Sequence, residues 1–289
     1  MNWITGMQKA IDYIEINITD ELDYNEIAKI SYSSSYHFQR VFSILCGYTL
    51  GEYIRNRRLT LAGAELAANK IKVIDAAVKY GYDSPDSFTK AFTKFHGITP
   101  SAAREPGVPL RSFARLSIKI SLEGGSIMDY RIEEKPEMVL VGHKFCAVGS
   151  QTNPDTKHKQ TYTHWTTTRK EQSLMKSLRD ETNVWYDVYS DFTDEGFNHF
   201  IAVKSDIDSI PKGLEKIMIP SCLYAVFETK HQESPDDEWL PLMKRILSEW
   251  LPASEYILAD NPQINKVYMN MEYTNRYMEL WLPIEKILK

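Results

Sequence analysis

Apolar residues in the first hundred positions recur at intervals of three and four. Ile4, Met7, Ile11, Ile14 and Ile18 fall on one side of an opening helix. Asp23 can cap a short second helix whose inward side holds Ile27, Ala28 and Ile30. A serine-rich turn, Ser31–Ser35, precedes a third helix with Phe38, Val41, Phe42 and Leu45 on one side, and Gly47 closes it as a C′ glycine. A longer helix rich in Leu, Ala and Arg is expected from about Leu50 to Ala68.

The pattern then returns. Asn25-Glu26-Ile27-Ala28-Lys29-Ile30-Ser31-Tyr32 is echoed by Asp75-Ala76-Ala77-Val78-Lys79-Tyr80-Gly81-Tyr82, and Phe38-Gln39-Arg40-Val41-Phe42 by Phe88-Thr89-Lys90-Ala91-Phe92. Gly47 is echoed by Gly97, so every pair shares an offset of 50 residues. A short helix, a tight turn and a longer helix form a helix-turn-helix unit, and two such units joined by one helix are expected.

Glu105-Pro106-Gly107-Val108-Pro109 breaks the helical pattern, and beyond it the period changes to two. Ser117–Leu122 alternates, Gly124-Gly125 reads as a turn, and Met128–Glu134 alternates again. Strands are then predicted over Met138–Val148, Val184–Asp191, Phe197–Val203, Ser221–Thr229, Lys266–Tyr273 and Tyr277–Ile284, with helices over Thr168–Leu178 and Asp236–Trp250. That is β-α-β-β twice, an α+β domain with mostly antiparallel pairing, whose two halves could form a concave two-sheet saddle. The expected division is an all-α domain over residues 1–106, a linker over 107–126 and the α+β domain over 127–289.

Composition changes this picture little. The chain has 289 residues, 43% of them apolar and 25% charged, enough for ordinary cores and against global disorder. The net charge is −5, but residues 1–112 carry 13 Lys/Arg against 12 Asp/Glu, so the acidic excess lies entirely in the remainder. Cys46, Cys146 and Cys222 are far apart and read as buried reduced thiols of a cytoplasmic protein, without metal-ligand spacing. Met1–Ala10 lacks the apolar run of a signal peptide, and no stretch is long enough to span a bilayer.

Ala76-Ala77-Val78-Lys79-Tyr80-Gly81-Tyr82-Asp83-Ser84, running on through Phe88, Phe92, Gly97 and Thr99-Pro100, resembles the AraC/XylS family of bacterial transcription regulators. The resemblance covers about residues 4–104. It implies that the second helix of each unit enters a major groove. In the first unit Ser35, Tyr36, Gln39, Arg40 and Ser43 then lie opposite the core-facing side. Gln39 suits adenine and Arg40 guanine, although Arg40 could equally be a solvated charge and Tyr36 a half-buried packing residue. In the second unit Asp86, Ser87, Thr89 and Lys90 are the candidates. Asp86 could accept from cytosine N4 but is repelled by phosphates, and Pro85 and Asp86 stand where the resembled family often places longer polar side chains, so this unit is expected to position more than it specifies. Of Arg55, Arg57 and Arg58 in the connecting helix, some could touch phosphates and at least two could simply form a charged face.

Residues 128–136, Leu223–Glu228, Glu249–Ser254 and Met278–Ile284 resemble the GyrI-like small-molecule-binding domain, which implies a ligand that is organic and often cationic or aromatic. Strand alternation adds an argument of its own. In the last strand Met278, Leu280, Leu282 and Ile284 share one face, and Tyr277, Glu279 and Trp281 share the other. Trp185 and Tyr224 are expected to join that second group in an aromatic pocket around a carboxylate. The bland alternatives are core or rim positions for Trp185 and Tyr224 and a surface acid for Glu279. No catalytic triad, phosphate loop, metal set or cofactor motif is present, so an enzyme is not expected; a GyrI-like hydrolase and a protein-interaction module are the alternatives. The resemblances imply double-stranded promoter DNA, a small-molecule effector and RNA polymerase as partners, with no membrane association.

Overall fold

The 50-residue repeat reappears in three dimensions. A computed structural model describes residues 3–31, 33–118, 127–148, 154–191, 196–230, 236–269 and 276–287. The chain forms two compact units, one of residues 1–42 and 48–122 and the other of residues 43–47 and 123–289.

The first unit contains α1 (Trp3–Ile16), α2 (Tyr24–Ile30), α3 (Ser35–Cys46), α4 (Leu50–Ala67), α5 (Val73–Lys79) and α6 (Pro85–His96). α3 and α6 have the same length and are offset by 50 residues, and Gly47 and Gly97 follow them at φ 79° and 81°. Only glycine takes that left-handed stop without strain. Asp23 caps α2 by accepting from the Asn25 amide, and Ser84 caps α6 by accepting from the Ser87 amide. Thr49 and Glu52 close a capping box at the start of α4. α4 serves both helix-turn-helix repeats. Phe42 packs on its Tyr53, while Leu59, Ala62 and Leu66 join Ala76, Ala77, Phe88 and Phe92 in a second cluster.

Residues 107–118, expected as a linker, are instead tied to these helices. Without strand partners their backbone amides still need acceptors. Arg111 N–H donates to His96 Nδ1, Phe113 N–H to Thr60 Oγ1, Leu116 N–H to the Tyr53 hydroxyl and Ile118 N–H to Gln8 Oε1. Arg57 completes the tie by donating to the Phe113 carbonyl while bidentate on Glu15, at 2.8 Å for both bonds. Arg58 donates to the carbonyls of Ile18 and Asp20. Two of the three arginines read as phosphate contacts or solvated charges are therefore structural, and Arg55 remains exposed. The alternation at 117–122 makes no strand at Ser117–Ile118, and its remainder and the Gly124-Gly125 turn lie outside the described residues.

The second unit has β1 (Tyr130–Lys135), β2 (Met138–Val148), α7 (Pro154–Thr167), α8 (Arg169–Leu178), β3 (Val184–Ser190), β4 (Gly196–Lys204) and β5 (Glu215–Ile219). It continues with β6 (Cys222–Glu228), α9 (Asp236–Arg245), β7 (Tyr256–Leu258), β8 (Gln263–Tyr268) and β9 (Tyr277–Lys286). Both β-α-β-β repeats are present. α7, β5 and β7 were not legible: α7 is a threonine-rich helix with little apolar periodicity, and β5 and β7 are only 5 and 3 residues long. Beyond α9 a wide π-helical turn, Ile246–Trp250, aims Trp250 at Tyr130 and Phe227.

The strands run β1-β6-β9-β8-β3-β4-β2-β5, with β7 added beside β9, and the described pairs are antiparallel. Instead of two separate sheets, the repeats form one ladder joined at β3–β8. β1 and β5 exchange halves, each pairing with the β-strand of the other repeat (β6 and β2). Contrary to the expectation of buried thiols, Cys146 is exposed and Cys46 and Cys222 are half-buried; all three are free.

Gly63 on α4 faces His96, whose ring binds the Leu59 carbonyl through Nε2 and the Arg111 amide through Nδ1. A Cβ at Gly63 would lie 2.8 Å from that ring. Ala normally gains about 0.5–1 kcal/mol over Gly inside a helix, but overpacking a held buried ring costs about 1–3 kcal/mol. Gly63→Ala is therefore expected to lower the unfolding midpoint of the first unit; a raised midpoint in thermal melts would contradict the close approach.

Candidate functional site

α3 and α6 carry the candidate DNA contacts. Phe38, Val41 and Phe42 of α3 are buried as expected. The opposite side is less open than the periodicity suggested. Gln39 and Arg40 retain 8% and 7% exposure, and Ser35 and Tyr36 are half-buried. Gln39 Nε2 donates to Ser35 Oγ at 3.1 Å and Arg40 Nη1 reaches the Tyr36 hydroxyl at 3.5 Å, both one turn back on the same helix. Apolar spacing marks the core-facing side and does not measure how wet the other side stays. On α6 the order is reversed: Asp86, Ser87 and Lys90 are exposed and Thr89 is half-buried. Ser87 is partly engaged, its hydroxyl donating to the Ser84 carbonyl.

In the second unit strand register decides which candidates meet. Tyr186 of β3 opposes Lys266 of β8, which opposes Glu279 of β9. Val226 of β6 opposes both Arg131 of β1 and Trp281 of β9. These residues share one face, and Trp281 packs with Tyr186 and Tyr224 at ring distances of 6.4 and 5.8 Å. Tyr268 and Tyr277 stack at 4.3 Å beside Glu279. Four of the five predicted ligand residues, Tyr224, Tyr277, Glu279 and Trp281, are therefore brought together. Trp185 is not. It opposes Val267, which opposes Met278, so it points to the other face and packs on Trp165 of α7. Its neighbour Tyr186 takes the place assigned to it. Alternation within β3 separates two faces but cannot say which one matches β9.

Glu279 is not a bare carboxylate. It is 8% exposed, accepts from Trp281 Nε1 at 2.9 Å and is paired with Arg131 Nη2 at 2.7 Å. Arg131 also holds Glu133 through Nε at 2.6 Å, and Lys135 pairs with the other oxygen of Glu133. Hydrogen bonds to Glu133 and then Glu279 hold the Arg131 guanidinium firmly charged, while Lys135 and Arg131 hold Glu133 below the usual carboxylate range. Lys266 pairs with Glu181 at 3.0 Å, and Tyr186 donates to Glu181. Burial opposes the charge on Glu181, yet the bond from Lys266 leaves its carboxyl lowered. Burial pushes the phenols of Tyr186, Tyr224 and Tyr268 upward, so they remain neutral donors. The basic residues of this face escaped the sequence reading, although Arg131-x-Glu133-x-Lys135 shows the same alternation that singled out β9.

A match to a helix-turn-helix domain covers residues 27–106, and a match to the GyrI-like small-molecule-binding domain covers residues 128–285. The HTH-type transcriptional activator AarP of Providencia stuartii is 46% identical over 98 residues, which is 34% of this chain and 73% of that protein. The regulatory protein SoxS of Escherichia coli K12 is 37% identical over 98 residues, 34% of this chain and 92% of that protein. The chain belongs to the AraC-type regulators that carry a GyrI-like domain. It is a DNA-binding transcription regulator with a ligand-binding domain. Among solved structures, SAV2435 bound to tetraphenylphosphonium is similar over 55% of this chain and 94% of its own, at 15% identity and a TM-score of 0.46. An AraC-type regulator from Chromobacterium violaceum is similar over 36% of this chain and 96% of its own, at 23% identity and a TM-score of 0.34.

The regulator's other sheet face holds a cluster that no sequence signal announced. His143 Nδ1 lies 2.8 Å from His164 Nε2, His164 Nδ1 lies 2.8 Å from His199 Nδ1, and His199 Nε2 lies 3.1 Å from Asp187 Oδ1. Trp165 Nε1–H also donates to Asp187. A carboxylate at Asp187 fixes the order of protons. In that order His199 donates through Nε2, His164 through Nδ1 and His143 through Nδ1. Burial, and then the neighbouring His199 and His143, hold His164 down at about 3. Among the described residues no group of three or more such side chains is arranged to hold a metal.

Because the folded value of His164 is depressed below about 6.5 for a free imidazole, its contribution is fully present above that pH and is lost as pH falls towards 3. Denaturant unfolding at a series of pH values is expected to show up to about 1.4 kcal/mol per pH unit of stability loss below pH 6.5 from this group. His164→Gln should flatten that slope, and an unchanged slope would mean that His164 is not held neutral in the fold.

Proposed function

We propose that this regulator reads promoter DNA with α3 and α6, and that the Glu279–Trp281 face binds a lipophilic organic cation that controls transcription by RNA polymerase in the cytoplasm. The single observation that carries the ligand class is the buried Glu279 carboxylate, bonded by an indole and bordered by Tyr186, Tyr224, Tyr268 and Tyr277. An aromatic wall and a fixed negative charge together favour a cation, whose lost hydration is replaced by ion pairing and ring contacts. No helix of the described residues is long and apolar enough to cross a membrane.

Glu279→Gln retains shape and removes charge. Calorimetry with tetraphenylphosphonium and neutral triphenylphosphine oxide is expected to show about a tenfold loss for the cation, roughly 1.4 kcal/mol, and little loss for the neutral compound. Equal losses would indicate a general structural role, and no loss would place the ligand elsewhere.

For DNA, Gln39 and Arg40 exchange their one-turn bonds to Ser35 and Tyr36 for base edges. Gln39→Ala and Arg40→Ala should each cost about 1–3 kcal/mol and relax preference at particular base pairs. Lys90→Ala should weaken binding evenly across sequences and reduce the salt slope by about 1. Gel shifts at several salt concentrations separate the two behaviours. Wild-type affinity and preference in both α3 variants would remove α3 as the reader.

A further inference from the structure

Arg131, Glu133 and Lys135 alternate along β1 and point to the same face as Glu279 and Trp281, across the single strand β6. Together they close a ring of contacts. Trp281 Nε1–H donates to Glu279, Glu279 pairs with Arg131, Arg131 with Glu133, and Glu133 with Lys135. The ring closes where the Lys135 ammonium sits over the Trp281 indole, 4.4 Å from its centroid. That distance is within the range of a cation–π contact. The carboxylate and the aromatic surface that suit a ligand cation are thus both held by the chain's own cations. Arg131 has a further reason to be there. Glu228 of β6 stands directly opposite Glu279, and Arg131 lies 2.7 Å from Glu279 and 3.9 Å from Glu228, offsetting their repulsion.

We propose that Arg131 and Lys135 act as a built-in ligand, and that an organic cation binds this face by displacing them from Glu279 and Trp281. The proposal rests on the cation-binding reading of the same site and adds its regulation. A ligand then gains only the difference between its own contacts and those of β1, so affinity is set by competition inside the protein. Among the described residues β1 is an edge strand, paired with β6 and with no strand on its other side. Its side-chain ties to β9 are what the ligand breaks, so occupancy loosens the first strand of the second unit. A rigid preformed pocket would instead tighten it.

The test uses the full chain and tetraphenylphosphonium, with tetraphenylborate as the same shape of opposite charge. Lys135→Met is expected to tighten phosphonium binding about fivefold by raising the competent fraction, and not to tighten borate binding. Arg131→Gln should shift phosphonium binding in the same direction, and Lys135→Arg should stay near wild type. The gain must persist in 1 M salt, where the Debye length is about 3 Å and through-space repulsion is screened. Hydrogen exchange over residues 130–135 should quicken when phosphonium binds.

If Glu279→Gln weakens phosphonium binding while Lys135→Met leaves it unchanged or weaker, displacement is wrong and the cation-binding reading stands. A gain that vanishes at high salt has the same meaning. If neither the wild type nor the Lys135 and Arg131 variants bind phosphonium, both readings fall. Binding by Lys135→Met alone would support the displacement directly.

Discussion

The second unit depends on one ladder, from β3 through β8 to β9. Tyr186, Lys266 and Glu279 stand in line across it, and so do Trp185, Val267 and Met278 on the reverse side. Side chains alternate along a strand, so this register assigns each residue to a face without remaining freedom. A slip of one residue would send Glu279 towards the helices and Met278 towards the aromatic rings. The ladder also joins the two repeats, and on one side of the join it collects the apolar cluster of Val184, Tyr186, Val188, Ile264 and Trp281.

Burying charge on that sheet face would be costly without partners, and the fold meets the cost by alternating signs. Arg131 lies between Glu133 and Glu279, and Lys266 lies between Glu181 and the rings of Tyr186 and Tyr268. Under the proposed displacement, a carboxylate reserved for a ligand has to be held by something removable. A side chain from an edge strand meets that requirement better than one from the sheet interior, because only one neighbouring strand restrains it.

The helical unit solves a different problem with similar economy. Its connecting helix α4 supports two cores, and two of that helix's three arginines, Arg57 and Arg58, are spent inside the unit. Glu15, Tyr53, Arg57 and the carbonyl of Phe113 form one network that ties α1, α4 and the segment 107–118. Glu15 is kept ionised there despite burial, because Arg57 and Tyr53 both donate to it. Charges that composition alone would leave on the surface are thereby held inside the unit.

Much of this was legible in the sequence, because it depends on local periodicity. The 50-residue offset, the cap at Asp23, the stops at Gly47 and Gly97 and the strands β2, β3, β4, β6 and β9 are each decided by residues close together in the chain. The division of β9 into Tyr277, Glu279 and Trp281 against Met278, Leu280 and Leu282 is of the same kind. What escaped needed partners far apart. Trp185 and Tyr186 are equivalent by alternation, and only the pairing of β3 with β8 separates them. Arg131 meets Glu279 across 148 positions of sequence, and His143, His164 and His199 meet only when α7 lies on β2 and β4. The exposure of Gln39 and Arg40 belongs with these. Periodicity fixes which way a side chain points from its own helix, and tertiary packing decides what it meets there.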